Sequence, residues 1–408
     1  MMENKNANNA SEEDTHAFLL HTAELLHRYG TPSYRLESAM DAVSQSIGVT
    51  ATFLYTPTAL VASLGVNGGE TTYLRRVDAG NVDINKLLAF DRALEELEAG
   101  RLTVKETHER LRNAAAASPP FSTVTEFIAA ASVCGSVAVL FGGGILDIVI
   151  AFLLGFAICA LAWVAAKCKW ENGGWVEPLS GFLVSLASLA LAQFLTIDHR
   201  ITTLAALIIP IPGLSLTIAF TELAVGHLSA GSARLAGASI KLLTLVFGVA
   251  IAWQLVPSLV EIRPVVMPIP SWSVWLAVLI APMAFGVLFR APMLLWPAII
   301  ATCVAGFIAN RIGERIVGPE LGAFVGALVV GVCSNLYARL FNRPAMALLT
   351  PGILVLVPGS IGYRSATAML ESNTIEGIEL AFAMVMVGIS LVGGIVMANV
   401  VLSPKRCL

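Results

Sequence analysis

From residue 121 onward the chain consists largely of apolar stretches about twenty residues long. A helix of that length crosses the roughly 30 Å hydrocarbon core of a bilayer, because each residue adds about 1.5 Å. Ten stretches qualify: residues 121–141, 145–166, 178–197, 201–223, 235–257, 272–290, 293–310, 320–339, 345–363 and 377–402. The sequence therefore predicts a polytopic α-helical membrane protein with ten transmembrane helices.

Charged residues are concentrated before the first apolar stretch. Residues 1–118 hold 27 of the 53 Asp, Glu, Lys and Arg residues. The charged fraction of the whole chain is 13%, about half that of a typical soluble protein. Residues 1–14 do not resemble a signal peptide, since no apolar run follows a basic segment there. We therefore expect residues 1–118 to form a separate domain in the cytoplasm.

This amino-terminal segment has the patterns of a mixed helix and strand domain. Apolar residues recur at helical spacing from Leu36 to Ile47, with Ser33 as the expected N-cap, and again from Leu87 to Leu97. Three segments rich in Thr, Val, Tyr and Leu predict strands at 49–56, 59–65 and 71–77, and Asn67-Gly68-Gly69 predicts a hairpin turn. The expected fold is α+β.

The order of the stretches suggests two modules of five helices each, residues 119–258 and 259–408. Lys and Arg near span ends are retained on the cytoplasmic side. With the amino terminus inside, eight basic residues fall on the inner side and five on the outer side. We therefore expect a multi-pass protein of an inner or plasma membrane with both termini in the cytoplasm.

Each predicted module has a proline-glycine pair in its fourth stretch. Pro212-Gly213 interrupts the first copy and Pro358-Gly359 the second. If five spans are duplicated, the second copy must enter the membrane from the opposite side, which is the inverted repeat used by secondary transporters. Two unrelated helix kinks are the alternative interpretation.

A proline inside a membrane helix leaves a backbone carbonyl without its usual donor, and hydrocarbon offers no replacement. A neighbouring glycine lets a polar ligand approach the opened backbone. Hydroxyl side chains follow both pairs. The candidate substrate-binding residues here are therefore Pro212, Gly213, Ser215, Thr217, Pro358, Gly359 and Ser360. A packed kink without a ligand is again the alternative.

Ionisable residues in apolar stretches are the second signal, because a charge at the bilayer centre costs at least about 2.5 kcal/mol. Asp147 and Glu222 are candidates for carrying a proton or binding a substrate ammonium group, and Arg364 for binding a carboxylate. Asn335 is a further candidate for substrate binding, with helix packing as its alternative role. Glu126 and Lys241 are expected to reach a membrane interface instead.

Several catalytic signatures are absent from the sequence. It contains no G-x-x-x-x-G-K-[ST], H-E-x-x-H or G-x-S-x-G motif. His16, His21 and His27 do not share a helical face at ligand spacing, so we expect no metal and no cofactor. A membrane-anchored enzyme with its site in residues 1–118 is the alternative from another class, but no nucleophile and base are visible there. We expect a transporter, not an enzyme, and no nucleic-acid partner.

Short motifs along most of the chain resemble the threonine/serine exporter family. They are Gly30-x-x-x-x-Arg35-x-Glu37, Tyr55-Thr56-Pro57-Thr58, Phe141-Gly142-Gly143 with Asp147, Pro212-Gly213, Glu222-Leu223, Arg234-Leu235, Ser334-Asn335-x-x-Ala338-Arg339, Pro351-Gly352-Ile353 and Val357-Pro358-Gly359-Ser360. The first of these marks Gly30, Arg35 and Glu37 as a motif of the amino-terminal domain.

The resemblance implies ten spans, a cytoplasmic amino-terminal domain and efflux of threonine and serine driven by the proton-motive force. A split relative of the family is associated with succinate export, so a small dicarboxylate is the alternative substrate. The implied partners are the small-molecule substrate, protons and the lipid bilayer. Whether the protein acts as a monomer or a homo-oligomer is left open by the residues.

Overall fold

The computed structural model describes residues 11–66, 69–78, 80–168, 174–256 and 269–404. Within these ranges, the amino-terminal domain has four helices and three strands. They are α1 (Glu12–Arg28), α2 (Ser33–Ser46), β1 (Thr50–Thr56), β2 (Ala59–Val66), β3 (Gly69–Arg76), α3 (Ile84–Glu98) and α4 (Val104–Ala116). The predicted helices and strands are confirmed to within two residues at most ends.

The three strands form one antiparallel sheet in the order β1-β2-β3. Val66 pairs with Gly69, as the predicted hairpin requires, although Asn67 and Gly68 of its turn lie outside the described residues. The helices cover one face of the sheet: Phe53 and Tyr55 are buried in the domain core, while Leu54 on the opposite face is exposed. This domain therefore has a hydrophobic core of its own.

Two histidines of this core region face each other. Nδ1 of His21 in α1 and Nε2 of His108 in α4 lie 3.0 Å apart. Burial is the main cause that lowers the pKa of both imidazoles below their ordinary value. The charge of His108 and then that of Arg112 lower the pKa of His21 further, and the charge of Arg112 lowers that of His108. Both groups therefore resist protonation in the folded domain.

Acidification is expected to loosen the α1–α4 contact. The unfolded histidines take up protons near pH 6.5, whereas the folded ones do so only at lower pH, so the stability that the pair provides falls as pH drops below about 6.5. Amide hydrogen exchange in α1 and α4 should accelerate more between pH 7.5 and 5.5 in the natural protein than in a His21→Gln, His108→Gln double variant, after correction for intrinsic exchange. Equal acceleration in both would contradict this prediction.

In the described part of the remaining chain, the α-helices form two sets of six. The first set is α5 (Thr123–Leu140), α6 (Ile145–Lys167), α7 (Val176–Ala192), α8 (His199–Ala206), α9 (Gly213–Ala224) and α10 (Leu228–Leu255). The second set is α11 (Ser273–Leu288), α12 (Trp296–Val317), α13 (Pro319–Phe341), α14 (Met346–Leu354), α15 (Gly359–Leu370) and α16 (Thr374–Val401). The predicted module boundary at residues 258 and 259 lies outside the described residues.

A polytopic helical membrane protein is confirmed. Within the described ranges, seven helical stretches are long and apolar enough to cross a bilayer when α14 and α15 are counted together as one, and α7, α9 and α11 are shorter apolar helices. The predicted number of ten is therefore not reached by length and composition alone. The reason is physical: α7 and α11 have only 17 and 16 residues, and α8 and α9 divide one predicted span between them.

The two sets repeat the same order of segment lengths around the break in their fourth predicted span. In each set a helix of eight or nine residues is followed by one of 12 and then by one of 28. The packing between the sets is reciprocal as well: α5 packs on α11, α9 packs on α16, and α15 packs on α10. In these three contacts the two halves contribute corresponding helices to the interface between them.

Candidate functional site

The two helix breaks meet at the interface between the halves. Pro212 and Pro358 occupy the N-cap positions of α9 and α15, so Gly213 and Gly359 are the first residues of these helices. A Cβ atom added to Gly359 would lie only 2.8 Å from Cα of Gly213, closer than unbonded carbon atoms approach. The two backbones are therefore in direct contact, and this contact requires glycine.

A cavity of about 1100 Å³ surrounds this contact. Its walls come from both helix breaks, from α5, α6 and α12, and from loops of the amino-terminal domain. The predicted site residues that line it are Pro212, Gly213, Ser215, Gly359, Ser360 and Arg364. The cavity therefore joins most of the candidate substrate-binding residues from the two halves.

Most charged side chains around the cavity are paired. Arg290 contacts Glu126 at 2.9 Å, and two wider pairs, Glu177 with Lys241 and Arg311 with Glu314, are separated by 3.8 Å. Arg364 differs from them: the residue is exposed, and its guanidinium has no ion-pair partner among the residues that the structure describes. The lining therefore carries a positive charge without a matching carboxylate.

This charge belongs to one half only. Arg364 is five residues after Gly359, and the residue five positions after Gly213 is Ile218, which also lines the cavity. The first turns of α9 and α15 add backbone N–H groups that have no partner within the helix. An unmatched guanidinium and two helix amino termini form a suitable environment for a carboxylate.

Three predicted substrate-binding residues do not line the cavity. The Thr217 hydroxyl donates to the Gly213 carbonyl at 3.1 Å within α9, and Pro358 is covered by its neighbours. The Asn335 amide donates to the Asn399 side chain at 2.9 Å and to the Leu402 carbonyl at 2.7 Å. Asn335 thus joins α13 to the end of α16, a contact of the kind expected for its alternative role in helix packing.

Asp147 is completely buried at the start of α6, away from the cavity. Its carboxylate accepts hydrogen bonds at 2.8 Å from three donors: the N–H groups of Gly144 and Asp198 and the hydroxyl of Thr202. These bonds cap α6 and connect it to the start of α8. A direct contact between Asp147 and a substrate in the cavity is therefore not made in this conformation.

Glu222 is also completely buried and also lies outside the cavity lining. Arg234 donates to it from Nε at 2.9 Å and from Nη2 at 3.1 Å. Ser33 donates to its Oε1 from the backbone N–H at 3.1 Å and from the hydroxyl at 2.9 Å. The expected N-cap role of Ser33 is wrong: Pro32 is the N-cap of α2, and the Ser33 hydroxyl contacts the membrane module instead.

The predicted motif of the amino-terminal domain lies at the same junction. Gly30 has a φ of +90°, and a Cβ atom there would lie 2.6 Å from Cγ2 of Val82. Both residues line the cavity. Arg35 is buried, and Oε1 of Glu37 lies 3.4 Å from Nδ1 of His227 in the loop before α10. Glu37 is therefore the motif residue that contacts the loop between α9 and α10.

Sequence reasoning missed a second contact between the domain and the membrane helices. Arg290 contacts Asp83 at 3.3 Å in addition to Glu126, and the Ile84 N–H donates to the Phe289 carbonyl at 2.9 Å. A basic residue in a short loop is a common orientation signal, so Arg290 gave no indication of this role.

For metals, the described ranges contain no group of three or more His, Cys, Asp or Glu side chains that could hold an ion.

Comparison with known families identifies the chain. Residues 17–256 match a family model described as a threonine/serine exporter, and residues 274–401 match a second model, "Threonine/Serine exporter, ThrE". The chain belongs to the threonine/serine exporter family. Both helix breaks and the cavity between them fall within the matched residues, and so does the amino-terminal domain from residue 17 onward.

The chain is also similar to fungal membrane proteins. It is 24% identical to "Pheromone-regulated membrane protein 10" of Eremothecium gossypii over 86% of this chain and 49% of that protein. An uncharacterized protein of Schizosaccharomyces pombe is 24% identical over 94% of this chain and 56% of its own length. The chain thus spans about half the length of these relatives. No solved structure matches it significantly.

Proposed function

We propose that this member of the threonine/serine exporter family is a secondary exporter of small polar metabolites, with threonine and serine as its substrates and the proton-motive force as its energy source. The contact between the two helix breaks inside a cavity that also contains Arg364 carries this proposal. Broken helices at the interface of two repeats are where secondary transporters bind their substrates.

The proposed architecture is ten spans arranged as an inverted repeat. Each half would use five spans, with its broken fourth span counted as one, and an odd number reverses the direction of the second half. The matched segment lengths and the reciprocal packing of α9 on α16 and of α15 on α10 support this arrangement. In the proposed orientation the amino-terminal domain and both termini are cytoplasmic.

In the proposed binding mode the substrate carboxylate lies against Arg364 and the first turns of α9 and α15, with Ser215 and Ser360 beside it. The cavity carboxylates Glu126, Glu177 and Glu314 already have cationic partners. Because the unmatched charge is positive, a small dicarboxylate such as succinate is the second candidate substrate.

Asp147 and Glu222 stay the predicted proton carriers, and each would have to exchange existing hydrogen bonds to take up a proton.

Efflux from proteoliposomes that contain the full chain would test the proposal. With labelled threonine, serine or succinate inside and an imposed pH gradient, we expect saturable efflux of threonine and serine that the gradient accelerates, together with counterflow. Asp147→Asn and Glu222→Gln should abolish the acceleration. Flux that does not saturate would indicate a channel, succinate alone would indicate the second candidate, and no flux of any of the three would contradict the proposal.

A further inference from the structure

The amino-terminal domain holds the end of α9 through a buried carboxylate. Glu222 receives two hydrogen bonds from Ser33 and two from Arg234, and no part of its side chain is exposed. The Arg234 pair neutralises the charge by itself. The contact with Ser33 can therefore break without leaving an unpaired buried charge, which would be far more costly.

The same domain also contacts the second half of the membrane helices. Ile84 and Leu88 of α3 pack in one apolar cluster with Ala347 and Leu348, at the start of α14. Asp83, next to Ile84, contacts Arg290 at 3.3 Å. The domain therefore connects the end of α9 in one half to the start of α14 in the other.

At the opposite ends of the broken spans the two halves touch directly. Arg200 at the start of α8 contacts Glu371, the residue after α15, with Nε and Oε1 2.6 Å apart. In the proposed repeat, the start of α8 corresponds to the start of α14, and the end of α15 corresponds to the end of α9. The start of α8 and the end of α15 are thus joined by an ion pair. The equivalent helix ends, the start of α14 and the end of α9, are joined through the amino-terminal domain.

Loops of that domain also form part of the cavity wall. Gly30 and Thr31 precede α2, and Asn81 and Val82 precede α3. Each loop lies within two residues of a membrane contact, Ser33 in the first case and Asp83 in the second. A movement that releases these contacts would therefore also withdraw the loops from the cavity.

We propose that the amino-terminal domain is a gate on its own side of the membrane, with Ser33 and Glu222 as positioning residues that hold it shut and Arg200 with Glu371 as the opposite gate. The inference rests on the proposed function, since two gates are useful only to a carrier that opens to alternate sides. Release of Ser33 opens the cavity toward the amino-terminal domain, and separation of Arg200 from Glu371 opens it toward the other side.

Thiol labelling of Cys159 tests the gate without measuring transport. Cys159 lines the cavity in α6, and the other five cysteines, Cys134, Cys168, Cys303, Cys333 and Cys407, can be replaced to leave it as the single reporter. A membrane-impermeant maleimide is applied to sealed vesicles of both orientations. Ser33→Ala should accelerate labelling about tenfold from the side of the amino-terminal domain, as expected for the loss of about 1.4 kcal/mol. Glu222→Gln also removes the counterion of Arg234 and should accelerate labelling from the same side by at least as much. Glu371→Gln should accelerate it from the other side.

Glu96→Gln is the matched control, because it breaks a 2.6 Å ion pair with Arg110 within the same domain and should leave labelling unchanged. The gate is contradicted if Ser33→Ala and Glu222→Gln label at the control rate, if they accelerate labelling equally from both sides, or if Cys159 stays unlabelled in every variant. Side-specific acceleration in a protein that exports none of the tested solutes would retain the gate and reject the proposed substrates.

Discussion

Export by the Arg364→Ala variant is expected to fall about a hundredfold at substrate concentrations below half-saturation. The guanidinium is the cavity cation without a partner among the described residues, so a bound carboxylate would be its counterion. Loss of a charge-assisted contact of this kind is equivalent to about 2.7 kcal/mol of binding free energy. Initial rates of labelled threonine efflux over a range of concentrations would measure the effect, which should appear mainly as a higher KM.

Four further variants separate the effect of where this charge lies from the effect of its presence. Arg315→Ala removes an exposed cation at the end of α12 that does not line the cavity and should leave export unchanged. Arg364→Lys should retain part of the activity, because lysine keeps the charge but not the two-pronged geometry. Arg364→Ile combined with Ile218→Arg moves the cation to the equivalent position of the other half and should recover export above Arg364→Ile alone. Normal export by Arg364→Ala would remove Arg364 from the binding site.

The features that could be predicted from the sequence are those that depend on residues close to one another along the chain. The periodicity of apolar residues located α2 and α3, and the turn residues located the hairpin between β2 and β3. The two proline-glycine pairs located the starts of α9 and α15 because proline acts on its own helix. That the two proline-glycine pairs contact each other could be predicted only by assuming a repeat. The structure shows this contact between Gly213 and Gly359.

The partners of the buried charges could not be predicted in this way. Glu222 is bonded to Ser33, 189 positions away in the sequence, and no local pattern encodes such a pairing. A glutamate in an apolar stretch has the same appearance whether it binds a substrate, carries a proton or holds a neighbouring domain. The same ambiguity affected Asn335, whose hydrogen bonds to Asn399 and Leu402 join residues more than 60 positions apart. Arg364 was distinguished from the other cavity cations only after their partners were known.

Replacing Gly359 by valine is expected to abolish export and to destabilise the protein. The Cβ atom alone would lie 2.8 Å from both Cα of Gly213 and Cγ2 of Ile211, and the two valine methyl groups add further volume. Overpacking of this kind typically costs about 1–3 kcal/mol, and backbone rather than flexible side chain has to move. Thermal unfolding in detergent and efflux from proteoliposomes would measure the two consequences separately.

Gly237→Val is the matched control, because Gly237 lies inside α10 and a Cβ atom there would have no neighbour within 4 Å. It should retain export and most of the stability. Gly213→Val should resemble Gly359→Val, since the added Cβ would lie 2.7 Å from Cγ2 of Val357. If the breaks form the substrate site, both variants lose export by separating the first turns of α9 and α15, even where the protein remains folded. Normal export by folded Gly359→Val protein would show that the helix breaks need not touch, and the carrier model would lose the contact on which it depends.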